Sequence, residues 1–191
     1  MFAVQPSLFE TAPALPPGFR YMPGLIRPAD EQHLIAAFQD FAFENFKFHG
    51  FIGQRRTVYF GWRYDFDRAR LSLAEPIPPS LLPLRELAAA FAGLAPEDLP
   101  HVLVTEYMQG APIGWHRDRP SFGDVVGVSL ASACTFRFRR RSAAGWERAS
   151  LTLAPRSVYL LRGPSRTEWE HSIPAVNALR YSVTFRTLRQ P

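Results

Sequence analysis

From residue 101 to residue 188 almost nothing in the chain reads as helix. Segments 101–108, 113–118, 125–130, 133–140, 146–153, 157–162, 166–171 and 179–188 are short, alternating and rich in β-branched and aromatic residues, with turn-formers between them. Eight such strands can bury their apolar faces only against one another, as a closed or double-sheet all-β body. Two helical patterns come first. Residues 29–40 follow Pro28 and repeat His33, Leu34, Ala37 and Phe38 at helical spacing; residues 80–92 carry Leu81, Leu84, Leu87, Ala88 and Phe91 on one stripe before Gly93. Helices placed ahead of the strands predict braces on the outer side of one sheet. Residues 19–26 and 41–49 read as strands, the second ending at His49 as a loop cap or substrate contact, and 55–64 reads as a strand or extended lid.

A chain of 191 residues suits one domain, and 47% hydrophobic with 14% aromatic residues excludes disorder beyond the ends. Residues 1–16, rich in Pro and Ala, form a loose arm; 17–191 is a single domain, with 17–100 as extension and lid and 101–188 as core. The single cysteine, Cys134, excludes an intrachain disulfide framework and a Cys-rich zinc site. No apolar run approaches the roughly 20 residues that span a bilayer. The start lacks a secretory pattern, so a cytoplasmic monomer with no membrane association is expected. Lys plus Arg is 22 against 17 acidic residues, a balance of +5 that is compatible with nucleic acid as partner.

In the segment Gly114-Trp115-His116-Arg117-Asp118, extended backbone turns His116 and Asp118 to the same side. An imidazole and a carboxylate leave most of a metal's coordination sphere open, and His171 is the only histidine further along the chain. Two His and one carboxylate on one side of a metal suit non-haem Fe(II), with positions open for co-substrate and O2. An isolated HxD is a short motif with many accidental matches. The last strand adds to it: alternation puts Arg180, Ser182, Thr184 and Arg186 on one face and Tyr181, Val183 and Phe185 on the other. Two arginines on a strand of this kind need anionic partners, and a dicarboxylate co-substrate would supply them.

The order His116-x-Asp118, His171, Arg180-x-Ser182-x-Thr184-x-Arg186 resembles the AlkB family of Fe(II) and 2-oxoglutarate dependent dioxygenases, whose last strand carries RxNxTxR. Thr105-Glu106-Tyr107, Gly110 and Ile113-Gly114-Trp115-His116 are similar to that family's NxYxxG…WHxD segment, and 55–66 to its substrate lid. The resemblance implies a double-stranded β-helix (jelly roll) with helical support and a lid. It implies iron held by His116, Asp118 and His171, and 2-oxoglutarate held by Arg180 with the Tyr107 hydroxyl. Arg186 would lie toward the chelating end or stabilise the site, with Thr105 and Ser182 standing where the family has asparagines. The reaction it implies is oxidative dealkylation of alkylated bases in DNA or RNA, consuming O2 and releasing succinate, CO2 and aldehyde. Pro120 departs from the acidic residue that repair members often carry two places after the metal-binding Asp.

For the substrate, Arg55, Tyr59, Phe60, Trp62 and Tyr64 are candidates to contact an extruded base, although each could equally be a packed strand residue. The run Phe136-Arg137-Phe138-Arg139-Arg140-Arg141 predicts phenylalanines inward and arginines outward, with Arg148 on the partner strand completing a phosphate-binding ridge. Outward charge also protects an edge strand from mispairing. Two other readings stand beside the dealkylase: an oxygenase acting on a protein side chain, favoured by Pro120, and a jelly-roll module that binds nucleic acid without catalysis.

Overall fold

The strands sort into two large antiparallel sheets and a separate hairpin in the computed structural model, which describes residues 15–48, 51–65 and 70–189. The N-terminal half runs β1 (Phe19–Met22), α1 (Pro28–Ala37), β2 (Glu44–Phe48), β3 (Phe51–Phe60), β4 (Trp62–Asp65), β5 (Arg70–Leu73) and α2 (Leu82–Ala92), with short 3-10 turns beside the helices. The C-terminal half runs β6 (His101–Tyr107), β7 (Ile113–His116), β8 (Phe122–Leu130), β9 (Cys134–Ser142), β10 (Gly145–Leu153), β11 (Ser157–Leu161), α3 (Pro164–Thr167), β12 (Glu170–Ile173) and β13 (Arg180–Leu188). The larger sheet has the order β1-β11-β8-β13-β6-β3-β2, the smaller β10-β9-β12-β7, and β4 pairs with β5 as a two-stranded sheet. Strands β6 to β13 therefore divide four and four between two facing sheets, which is the double-stranded β-helix expected. The N-terminal half does more than cover it, since β1, β2 and β3 widen the larger sheet.

Strands covered on both sides need two buried faces, and here the two faces differ in kind. On the helix side, Val102 and Val104 of β6, Val126 and Val128 of β8, and Tyr181, Val183 and Phe185 of β13 pack against Leu34, Phe38, Leu84 and Ala88. Each such aliphatic or aromatic side chain contributes about 1.5–3 kcal/mol on full burial. Two buried carboxylates on this side are answered: Glu106 accepts two hydrogen bonds from Arg56, at 2.7 and 2.8 Å, and one from the Tyr181 hydroxyl at 3.2 Å. Glu31 accepts the Ala131 N–H at 2.9 Å and Arg156 Nη1 at 2.8 Å, pinning α1 to two turns held in left-handed backbone, Ala131 at φ 69° and Arg156 at φ 61°. The buried stripe of α1 is thus Glu31 and Leu34, while His33 is exposed.

Between the sheets, Phe136, Phe138, Leu153, Tyr159, Leu161 and Trp169 fill one end. Gly127 is required there: a Cβ at this position would lie 2.2 Å from the Tyr159 ring, which crosses the strand at that point. The other end is left to a polar cavity.

Four expectations change. The run 29–40 is an α-helix to Ala37 followed by a 3-10 turn at Phe38–Asp40. The strand expected over 55–64 breaks at Gly61, whose φ of 73° turns the chain out of the larger sheet into the β4–β5 hairpin. Strand β7 ends at His116, so Asp118 lies in the loop beyond it. Segment 166–171 is not one strand: Pro164 opens a helical turn, and only Glu170–Ile173 is extended. Residues 1–14 and His49 lie outside the described residues.

Candidate metal centre and co-substrate pocket

His116 and His171 face each other because β7 and β12 pair with these two residues in register. A bulge between that pair and the Ile173–Ile113 pair sets two residues of β7 against one of β12, which turns both Ile113 and His116 inward. The rings lie 4.2 Å apart. One ligand atom each from His116, Asp118 and His171 falls within 4.8 Å of the others. The His116 Nδ1 is 2.9 Å from the Gly114 carbonyl oxygen, so Nδ1–H donates there and Nε2 keeps the free lone pair. Asp118 Oδ1 accepts from Arg186 Nε at 3.0 Å and Nη2 at 2.7 Å, while Oδ2 lies 3.7 Å from His171 Nε2. The three donors fit a divalent transition metal on one side, with the cavity on the other.

Burial, with His116 alongside, pulls the His171 pKa down to about 3, and burial lowers that of His116. Burial would raise Asp118, but the Arg186 guanidinium, helped by His171 and His116, holds its carboxyl well below the usual range. Near neutral pH the site is therefore two neutral imidazoles and a carboxylate, the protonation state that metal binding requires. The folded His171 pKa lies below its unfolded value, so the unfolded chain takes up more protons as pH falls. Stability is full above about pH 6.5 and drains away on acidification, with Asp118 adding to the loss once pH drops below the ordinary carboxyl range. The melting temperature of metal-stripped protein should accordingly decline between about pH 6.5 and 4.5, and His171→Asn should flatten that decline. A wild-type melting temperature constant across this window would contradict the assignment.

The loop that carries Asp118 is held from behind. Arg166 of α3 is buried and donates to the carbonyls of Arg119, Phe122 and Gly123 at 2.6, 2.8 and 2.9 Å. Arg117 returns a bond from Nη1 to the Thr167 carbonyl at 3.1 Å. Segments that precede His171 and follow Asp118 are thus clamped together.

The inward faces of β3, β6, β8 and β13 line a cavity of about 570 Å³ reaching the three donors. Thr105 and Ser182 stand opposite each other in register, as do Tyr107 and Arg180. Arg186 already has its anion within the chain, in Asp118, and His101 Nδ1 lies 3.4 Å from its Nη1. Burial, then Arg186, keeps His101 neutral by lowering its pKa well below the usual value, so its ring nitrogen accepts. Of the two arginines expected to need a dicarboxylate, Arg180 is the one still short of an anion. It is 0% exposed, its Nε donates to Ser129 Oγ at 3.1 Å, and its guanidinium lies 4.9 Å over the Tyr107 ring. Its Nη1 and Nη2 have no hydrogen-bond partner among the described residues. Two buried, unanswered guanidinium nitrogens suit one carboxylate, the chemistry that the resemblance assigns to Arg180.

The substrate candidates divide. Arg55, Tyr59 and Tyr64 line the cavity, and Arg119 lies 5.3 Å over the Tyr64 ring at the same wall. Phe60 faces the helices instead, 5.0 Å from Phe41 in the core, and Trp62 is not part of the cavity wall. Alternation explains Phe60, because β3 turns Arg55, Thr57 and Tyr59 inward and therefore Phe60 outward. The arginine ridge also divides. Arg137, Arg139 and Arg141 alternate onto the outer face, but Arg140 falls on the other and is held by Glu168 at 2.5 Å and Glu147 at 2.9 Å. His101, Phe122 and Tyr159 join the site unannounced. His101 carried a signal, since it shares the period-two face of β6 with Leu103, Thr105 and Tyr107.

Residues 18–186 match the family described as the 2OG-Fe(II) oxygenase superfamily. The chain is 28% identical over 184 residues to "Alkylated DNA repair protein ALKBH8 homolog" of Arabidopsis thaliana, a match covering 83% of this chain and 51% of that protein. It is 30% identical over 142 residues to "DNA oxidative demethylase ALKBH2" of Bos taurus, covering 67% of this chain and 50% of that one. The chain spans about half the length of the curated relatives it matches. Among solved structures, "The structure of OsALKBH1" shares the fold, with a TM-score of 0.67 at 18% identity over 91% of this chain and 98% of that one. The matched span takes in the facing histidines, the carboxylate and the buried guanidinium short of an anion, and the chain, similar to these AlkB-family proteins, belongs to the 2OG-Fe(II) oxygenase superfamily.

Proposed function

We propose that this chain is an Fe(II)- and 2-oxoglutarate-dependent dioxygenase that dealkylates nitrogen atoms of bases in DNA or RNA. The observation that carries the reading is a three-donor metal set on the cavity together with a guanidinium, buried behind the cavity-lining Tyr107 ring, whose two terminal nitrogens have no partner among the described residues. When bound, iron with 2-oxoglutarate and O2 would supply the oxidising power to place a hydroxyl on the alkyl carbon. The chain's own residues do the positioning. Arg180 grips the distal carboxylate beside the Tyr107 ring, and Arg186 fixes Asp118 through Oδ1 so that Oδ2 faces the metal position. Tyr59 and Tyr64 offer aromatic faces to a base drawn out of its stack. The hydroxylated alkyl group then leaves as an aldehyde: its O–H proton is lost, the C–N bond breaks, and the base nitrogen takes a proton. Relatives named for repair and demethylation of DNA support the base over a protein side chain. A buried free thiol at Cys134 fits a reducing, cytoplasmic setting.

Succinate release with Fe(II), 2-oxoglutarate and ascorbate, measured with and without methylated or etheno-adducted oligonucleotide, tests the proposal. Stimulation by the alkylated oligonucleotide, with aldehyde formed in step with succinate, is expected. Stimulation by peptides alone would favour the side-chain oxygenase, and no turnover of any kind would leave a binding module.

A further inference from the structure

The outer face of the smaller sheet carries a ladder of arginine and tryptophan that meets the cavity only at Trp115, beside the metal donor His116. In register, Arg139 of β9 stands opposite Glu170 of β12 and Arg148 of β10, and Arg141 opposite Trp146. The Arg139 guanidinium lies 4.5 Å from the Trp115 ring on one side and 4.5 Å from the Trp146 ring on the other. Arg137 lies 5.0 Å over Trp115 and Arg141 5.1 Å over Trp146. Arg137 also donates from Nε to Ser172 Oγ at 3.1 Å.

The charge on this face does not balance. Glu170 takes Arg139 at 2.6 Å, whereas Arg137, Arg141 and Arg148 have no carboxylate partner among the described residues. A solvated sheet face asks for polar residues but not for two indoles, and Trp146 is 40% exposed. Protection of the β10 edge would explain Arg148 and not the stacked array beyond it. Guanidiniums held over indoles lose part of their rotamer freedom before any ligand arrives, and their N–H forks suit phosphate oxygens. Nucleic-acid bases stack on the same aromatic surfaces. Position matters too: Trp115 adjoins His116 and Glu170 adjoins His171, so the ladder stands on the reverse side of the two strands that hold the metal donors and reaches their free edge at β7.

We propose that this face docks the phosphate backbone of the nucleic-acid strand whose alkylated base enters the cavity, with a flanking base stacked on Trp146. The inference rests on the nucleic-acid reading above and names the surface that reading lacks.

The test uses the full chain and two variants, R141A/R148A and W146A, with W146F as the conservative control. Binding of a long single-stranded oligonucleotide is followed by fluorescence anisotropy across a salt series, and KM is compared for a long alkylated oligonucleotide and an alkylated trinucleotide. R141A/R148A should lower the slope of log affinity against log salt by about 1.4, at ~0.7 per phosphate contact on a single strand. W146A should weaken binding about tenfold with the slope retained, and W146F should restore it. In both variants KM should rise for the long substrate and stay put for the trinucleotide. Unchanged slope and KM ratio in variants of an enzyme that does dealkylate oligonucleotides would overturn the surface and leave the activity standing. Equal competition by polyglutamate, with W146A indistinguishable from wild type, would assign the face to an acidic protein and overturn it as well. If wild type neither binds nor dealkylates any oligonucleotide, the nucleic-acid reading itself fails.

Discussion

Arg180→Met should remove 2-oxoglutarate binding while leaving the protein as stable as before, or more so. In the folded chain the guanidinium is wholly buried with two nitrogens unanswered, a desolvation penalty that a thioether of similar reach does not carry. Against that gain stands one lost bond to Ser129, worth about 1 kcal/mol, and methionine keeps contact with the Tyr107 ring. The co-substrate loses two charge-assisted hydrogen bonds at about 1.5–3 kcal/mol each, so KM for 2-oxoglutarate should rise by roughly 10² to 10⁴. Wild type should also gain about 2.7 kcal/mol of stability at a hundredfold excess of co-substrate over Kd, and the variant nothing. A purely structural arginine would behave in the opposite way, losing stability and keeping KM. That outcome would sink the assignment.

Asp118→Ala should lower turnover by more than about a hundredfold, beyond the range seen when only an outer partner of a metal ligand is removed. It should also destabilise metal-stripped protein by about 3–5 kcal/mol, because Arg186 is left buried without its anion. His171→Gln separates the two effects: it takes away a ligand but leaves the Asp118–Arg186 pair, since His171 is neutral and 3.7 Å from the carboxylate. Its turnover should fall as far and its melting temperature far less. Metal titration and thermal melts on both variants check the pair, and product formation persisting in Asp118→Ala would rule out this ligand set.

Where period-two alternation governed, the residues could be placed before any coordinates existed. Tyr181, Val183 and Phe185 pack on the helices and Ser182, Thr184 and Arg186 face the cavity, as the spacing of β13 demands. The same rule, applied fully, forbids Arg139 and Arg140 from sharing a face and sends Phe60 away from Tyr59. Those misplacements came from reading a block of like residues as a unit. Arg166 is different in kind: nothing in its spacing says that a helical turn will carry its guanidinium to three carbonyls more than 40 residues earlier in the chain.

The linear order of residues was enough to point to a double-sheeted β body with helices on one side, because strand alternation is a local property, and the order of its motifs singled out His116, Asp118 and His171 as candidate donors, which the fold brings together. Tertiary structure alone decided which anion each arginine meets. Asp118 reaches Arg186 across 68 residues and satisfies it, whereas Arg180 is enclosed beside Tyr107 with nothing to answer it. Charge pairing depends on distance in space and on how completely water is excluded, and neither is a property of a segment read by itself.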